Sequence, residues 1–111
     1  MTTITIDHSG PWIVGFSAQG HTGFAEEGED IVCAAVSAIT QTAMLGVAHY
    51  APDAEQVRRE GDAPFLRMRI KSPTPQTQAI LTAMLLGLSD LSAGMPEFVR
   101  VIHTGTEVES K

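Results

Sequence analysis

A chain of 111 residues suits one folding unit spanning 1–111, and its 43% apolar and 18% charged content excludes a disordered polymer. Seven Lys and Arg against thirteen Asp and Glu leave a formal charge of −6, which argues against nucleic acid or anionic lipid as a direct partner. A single cysteine excludes an intramolecular disulfide and points to a reducing, cytoplasmic setting. The first ten residues lack the layout of a signal peptide. The most apolar stretch, residues 31–50, is interrupted by Ser37, Thr40, Gln41 and Thr42, so no membrane segment is expected.

Residues 3–7 alternate Thr-Ile-Thr-Ile-Asp with period two, the pattern of a half-buried strand. His8-Ser9-Gly10-Pro11 reads as a turn and residues 12–17 as a second strand, so the two form a hairpin. From residue 18 to 29 periodicity is lost and three glycines appear, which predicts a mobile loop. Asp30 then stands as an N-cap before an apolar helix running to about His49, with Pro52 beyond its end. That helix is apolar nearly all round, as expected of deep burial or a packed interface. Residues 56–60 and 65–71 flank a Gly-Asp-Ala-Pro turn and predict a second hairpin, in which Arg67, Arg69 and Lys71 form the wet face. Ser72 is the expected cap of a second helix, with Ile80, Met84, Gly87, Leu88 and Leu91 inward and Gly94 and Pro96 at its end. A final strand over 97–103 completes the order ββαββαβ. The expected fold is α+β, two-layer, with a mainly antiparallel sheet packed with two helices.

Cys33 is the residue with nucleophilic potential. The expected helix start places it in the first turn, where unpaired backbone N–H groups and the helix dipole favour a thiolate. His21 lies twelve residues upstream across the glycine-bearing loop, near enough in sequence to fold back as a base. Backbone N–H groups at the helix start, that of Cys33 included, would then hold an oxyanion. The competing reading is a small buried hydrophobe, the commonest fate of a free cysteine. Asp30 either caps the helix or orients His21. Ser37, one turn beyond Cys33, either reaches the site or bonds back to the preceding turn. The acidic run Glu26, Glu27, Glu29 and Asp30 is either a solvated loop or a lure for a basic substrate. His8, His49 and His103 show no metal-ligand spacing, so no metal site is expected. Gly20-His21-Thr22-Gly23 follows no strand–helix context that would make it a phosphate loop.

The string Gly20-His21-Thr22-Gly23, then Gly28-Glu29-Asp30-Ile31-Val32-Cys33-Ala34-Ala35-Val36-Ser37, resembles the bacterial ribosomal-processing cysteine protease family, Prp. The resemblance covers residues 20–37 and implies a compact α/β fold and a cysteine endopeptidase needing no metal or organic cofactor. It also implies a substrate: the apolar, phenylalanine-bearing N-terminal extension of the large-subunit ribosomal protein bL27, removed during ribosome maturation. Carried over residue by residue, Cys33 matches the nucleophile, His21 the general base, Asp30 the motif aspartate and Ser37 the motif serine. Gly20, Gly23, Phe24 and Gly28 match a substrate loop that closes over bound peptide. Family members resemble homodimers, which agrees with the all-round apolar helix. The rival readings are a non-catalytic ribosome-associated binding module of the same fold and a thiol redox sensor. The sensor is disfavoured because the chain holds no resolving cysteine.

Overall fold

The computed structural model describes residues 1–20, 27–59 and 65–105, with residues 27–30 described by backbone alone. Strands β1 (Thr2–Ser9) and β2 (Trp12–Gln19) are followed by helix α1 (Glu27–Tyr50), strands β3 (Glu55–Arg59) and β4 (Phe65–Arg69), helix α2 (Pro75–Gly94) and strand β5 (Val99–Gly105). The expected order ββαββαβ is the observed one. All five strands join one sheet in the order β3-β4-β2-β1-β5. Three neighbouring pairs are antiparallel, and only β1 with β5 is parallel.

That single parallel pair follows from where the helices lie. Strand β2 runs parallel to β3 with β4 between them, and β4 runs parallel to β5 with β2 and β1 between them. Each helix is therefore the crossover that a parallel connection needs, whereas the two short connections make hairpins. The β1–β2 turn is closed by Gly10 at φ 60°, a backbone angle that suits glycine.

Period-two alternation decides the two faces of the sheet. Ile4 and Ile6 on β1 pair with Ala18 and Phe16 on β2, and these pair onward with Leu66 and Met68 on β4. All six lie on the helix side, and all but the half-buried Leu66 are buried. Helix α1 lays Val32, Val36, Thr40, Ala43 and Val47 on this layer, a stripe at three-to-four spacing. By length and a mean hydropathy of 1.8 over Ile31–Tyr50, α1 would qualify to cross a membrane; here its inner stripe goes to the sheet. Helix α2 contributes Thr77, Leu81, Met84 and Leu88.

Several boundaries differ from expectation. Helix α1 begins at Glu27, so Asp30 is not its N-cap but its fourth residue. The helix thus takes in Glu27, Glu29 and Asp30, residue types that are favoured in a first helical turn. Gly28, expected in the loop, lies in that first turn. Thr74, not Ser72, caps α2. The proline at 75 keeps Thr74 extended at φ −131° and ψ 165°, and Thr74 and Thr77 exchange side-chain-to-backbone hydrogen bonds of 3.2 and 2.9 Å. This box pulls Thr77 fully inside and turns the inner face to 77, 81, 84 and 88, so Ile80 packs at its flank and Gly87 faces Ile39. Strand β5 begins at Val99 because residues 96–98 still turn after the helix.

The other face of the sheet carries no helix among the described residues. Across it, Arg69 on β4 reaches Asp7 on β1 at 3.7 Å, and Thr104 on β5 donates to the same carboxylate at 2.7 Å. Strand β2 lies between Arg69 and Asp7, and the residue it places there is Gly15. A Cβ at Gly15 would strike the Met68 carbonyl, so the close approach of β2 and β4 requires glycine and leaves the path open.

Candidate active site

Cys33 is the seventh residue of α1 and is half-buried. It sits beside the inner stripe rather than in it, directly after buried Val32 and three residues before buried Val36. From there it lines a cleft of about 270 Å³ between α1 and the β2–β4–β3 side of the sheet. The helix supplies Cys33, Ser37 and Gln41 at successive four-residue steps, with Val36 and Thr40 deeper. Ala18 and Leu66 line the sheet side, Phe65 and Arg59 stand on the outer wall beside Arg58, and Gly20 lies at the end of β2.

The polar groups in this cleft are tied in different ways. Thr40 is fully buried, and its hydroxyl donates to the Val36 carbonyl at 2.8 Å, so its hydrogen bond is satisfied inside the helix. The Arg59 guanidinium lies 5.2 Å from the centre of the Phe65 ring, a cation–π contact that stiffens the outer wall. Gly20 adopts φ 84°, and a Cβ there would come within 2.8 Å of the Met1 carbonyl. Glycine is therefore required where the chain leaves β2, immediately before His21.

Three of the expected site residues line this cleft, Cys33 and Ser37 from the helix and Gly20 from the end of β2. Ser37 is exposed, which removes the reading of a buried serine bonded back to the preceding turn. Gly20, expected in the substrate loop, lines the same cleft. Asp30 lies one turn before Cys33 along the helix and Gly28 lies in the first turn, so neither has its expected place as cap or loop residue. His21, Gly23 and Phe24 lie outside the described residues. The early start of α1 also corrects the expected oxyanion donors. The unpaired amides belong to the first turn, whereas the Cys33 N–H falls inside the helical ladder and is bonded within it. Side-chain donors that line the cleft include the Ser37 hydroxyl and the Gln41 amide.

The sequence reading missed Gln41 and the Arg58–Arg59–Phe65 wall. Gln41 was accessible, since it continues the Cys33–Ser37 step by another four residues. The wall was not, because only the sheet order brings β3 and β4 beside α1. Among the described residues no three His, Cys, Asp or Glu side chains gather as a metal site would require.

Comparison with known proteins places this arrangement. The profile of the family described as cysteine protease Prp matches residues 1–100. The ribosomal processing cysteine protease Prp of Mycoplasma genitalium is 32% identical over 82 residues, covering 74% of this chain and 80% of the relative. Its namesake in Mycoplasma pneumoniae is 29% identical over 99 residues, covering 89% and 91%. A crystal structure from Streptococcus mutans superposes with TM-score 0.83 at 26% identity, covering 95% of each chain. The ribosomal processing protease Prp of Staphylococcus aureus, in complex with a substrate peptide, shares the fold at TM-score 0.74 and 21% identity, covering 94% of this chain and all of that one. With a half-buried cysteine facing a cleft on this fold and the family profile spanning nearly the whole chain, the protein belongs to the cysteine protease Prp family and is a cysteine protease.

Proposed function

We propose that Cys33 is the nucleophile and His21 the general base of an endopeptidase that removes the N-terminal extension of ribosomal protein bL27. The observation that carries this reading is the position of Cys33. It faces a cleft whose apolar lining of Ala18, Val36, Leu66 and Phe65 suits an apolar side chain of an extended peptide. The residue before His21 lines the same cleft, which supports His21 as the partner base. The related proteins are named for ribosomal processing, and the Staphylococcus aureus Prp is known in complex with a covalently linked product peptide.

In this mechanism the Cys33 Sγ attacks the scissile carbonyl carbon while His21 holds the thiol proton. Collapse of the tetrahedral adduct breaks the C–N bond, passes that proton to the leaving amine and leaves a thioester on Cys33. Water then adds to the thioester with His21 as base, releasing the leader as a carboxylate and restoring the thiol. Asp30, one turn before Cys33 on the helix, is proposed to orient His21, and Ser37 to hold substrate backbone beside the thiol. The enzyme is proposed to act in the cytoplasm as a homodimer. Ile31, Leu45 and Leu86 stand 67%, 74% and 66% exposed on the two helices, apolar side chains that a second copy would cover.

Incubation with extended bL27 and mass analysis of the products tests the proposal. One cut within the leader, lost in Cys33→Ala and in His21→Ala, is the expected result. Intact bL27 after prolonged incubation overturns the substrate assignment, and cleavage by Cys33→Ala overturns the nucleophile. Light scattering across a concentration series tests the dimer, with Leu45→Glu expected to give monomers.

A further inference from the structure

Charge in this protein is segregated in a way that the total of −6 conceals. Residues 1–57 contain no Lys or Arg, and every one of the seven except Lys111 falls between 58 and 100. The sheet order then collects four of them on the face that carries no helix. In one row across all five strands, Arg59 pairs with Phe65, Phe65 with Gln19, Gln19 with Thr3, and Thr3 with Arg100. Arg67 stands in the next row beside Ser17 and Thr5, and Arg69 in the row after that.

Among the described residues the acidic groups on this face are Asp7 and Glu55, both in the Arg69 row. Arg69 is engaged with Asp7, whereas among the described residues neither Arg67 nor Arg100 has an acidic partner. Between Arg67 and Arg100 lie Ser17, Thr5, Gln19 and Thr3, side chains that can donate hydrogen bonds, and Phe65 stands beside Arg59. By strand spacing, the arginines at the two edges stand about 19 Å apart. Acidic groups on the far side of the molecule are screened from this face. The molecule is 20 Å across even in its shortest direction, beyond a Debye length of about 8 Å in physiological salt.

We propose that the open face of the sheet is a docking surface for RNA, held through its phosphate backbone by Arg59, Arg67 and Arg100. Separated guanidinium groups among hydroxyl and amide side chains fit an extended polyanion, since phosphate contacts come from all three. A lipid surface fits less well, because the apolar side chains of the face are few and Val57 alone of them is exposed, whereas Phe65 and Ile102 are half-buried. This inference goes beyond the proteolytic reading. It concerns the face of the sheet opposite the helices, with Arg59 at the edge that this face shares with the cleft wall, and binding is measured without a cleavage reaction.

The experiment is fluorescence anisotropy of a labelled single-stranded RNA titrated with the full chain, between about 50 and 200 mM salt. Three phosphate contacts predict that log K falls against log salt with a slope of roughly −2. The double variant Arg67→Ser with Arg100→Ser is expected to weaken binding about tenfold at low salt and to flatten the slope by more than about 1. Its cleavage of a short leader peptide should equal that of the parent, and Arg100→Lys should retain most of the binding. Absence of RNA binding at the lowest salt overturns the proposal, as does binding that the double variant leaves unchanged. It is equally overturned if phosphatidylcholine vesicles doped with phosphatidylserine bind and RNA does not, or if the double variant changes the oligomeric state.

Discussion

Helices α1 and α2 are both crossovers, both rich in Ala and Leu-sized residues, and both packed on the same side of one sheet, yet they do different work. Helix α2 is closed upon itself at its start: Thr74 and Thr77 satisfy each other's backbone, and Thr77 then becomes part of the core. Its buried stripe is continuous and nothing on it faces the cleft. Helix α1 has a comparable stripe, but beside it runs the row Cys33, Ser37, Gln41 that lines the cleft. The buried threonine of each helix shows the contrast. Thr77 caps, whereas Thr40 returns its hydroxyl to Val36 and seals the polar atoms directly beneath the cleft. A reactive side chain needs both a fixed backbone and access to substrate, and the border of a packed stripe provides both.

Substitutions separate the two roles. The largest effect expected is at Cys33→Ala, which should lower peptide cleavage by at least about 1,000-fold while leaving the thermal midpoint unchanged. Cys33→Ser should fail too, and adding His21→Ala should make the loss hardly greater if the two act as one unit. Unfolding of Cys33→Ala would make α1 as purely structural as α2.

Next in size is Leu88→Ala on α2, which should cost about 3 kcal/mol in urea unfolding through the cavity it leaves. Its cleavage rate per folded molecule should not change. A lowered rate at constant folded fraction would show that α2 also shapes the cleft. Thr77→Ala should cost about 1–2 kcal/mol by the same measurement, since it removes the half of the capping box made by the Thr77 hydroxyl and leaves a buried gap. The smallest effect belongs to Asp7→Asn on the sheet's open face. Its ion pair with Arg69 is 3.7 Å long with side chains 50% and 23% exposed, so at most about 1 kcal/mol is expected.

Most of the architecture was legible because burial in this chain is locally periodic. Ile4 and Ile6 alternate with threonines, Leu66 and Met68 with arginines, and the second helix carries its inner residues at three-to-four spacing. The helix starts were harder to read. Asp30 and Ser72 are good caps by residue type, but one helix takes in the acidic run upstream, and Pro75 with Thr77 moves the cap of the other to Thr74. At the site, Cys33 and Ser37 were found together because a helix fixes their relation. The Arg58–Arg59–Phe65 wall escaped because strands 55–59 and 65–69 meet α1 only through the order of the sheet. The same cause hid the arginine face. Net charge averages over the chain, whereas strand register decides which charges stand together.

The parallel ladder between β1 and β5 bears on how the molecule is made. Ile4 faces Val101, and the Thr2 amide donates to Phe98 at 2.8 Å, so an inner strand of the sheet waits for a partner from the far end of the chain. During synthesis the Ile4 and Ile6 strand emerges early, while residues 99–105 emerge only after both helices. Until then one edge of β1 offers unpaired amides and carbonyls beside two isoleucines, the kind of edge that recruits strands from neighbouring molecules. Contacts so distant in sequence also slow the final closure. Nascent or truncated chains ending before Val99 should therefore be the aggregation-prone species, and the late arrival of β5 should be the event that renders the fold monodisperse.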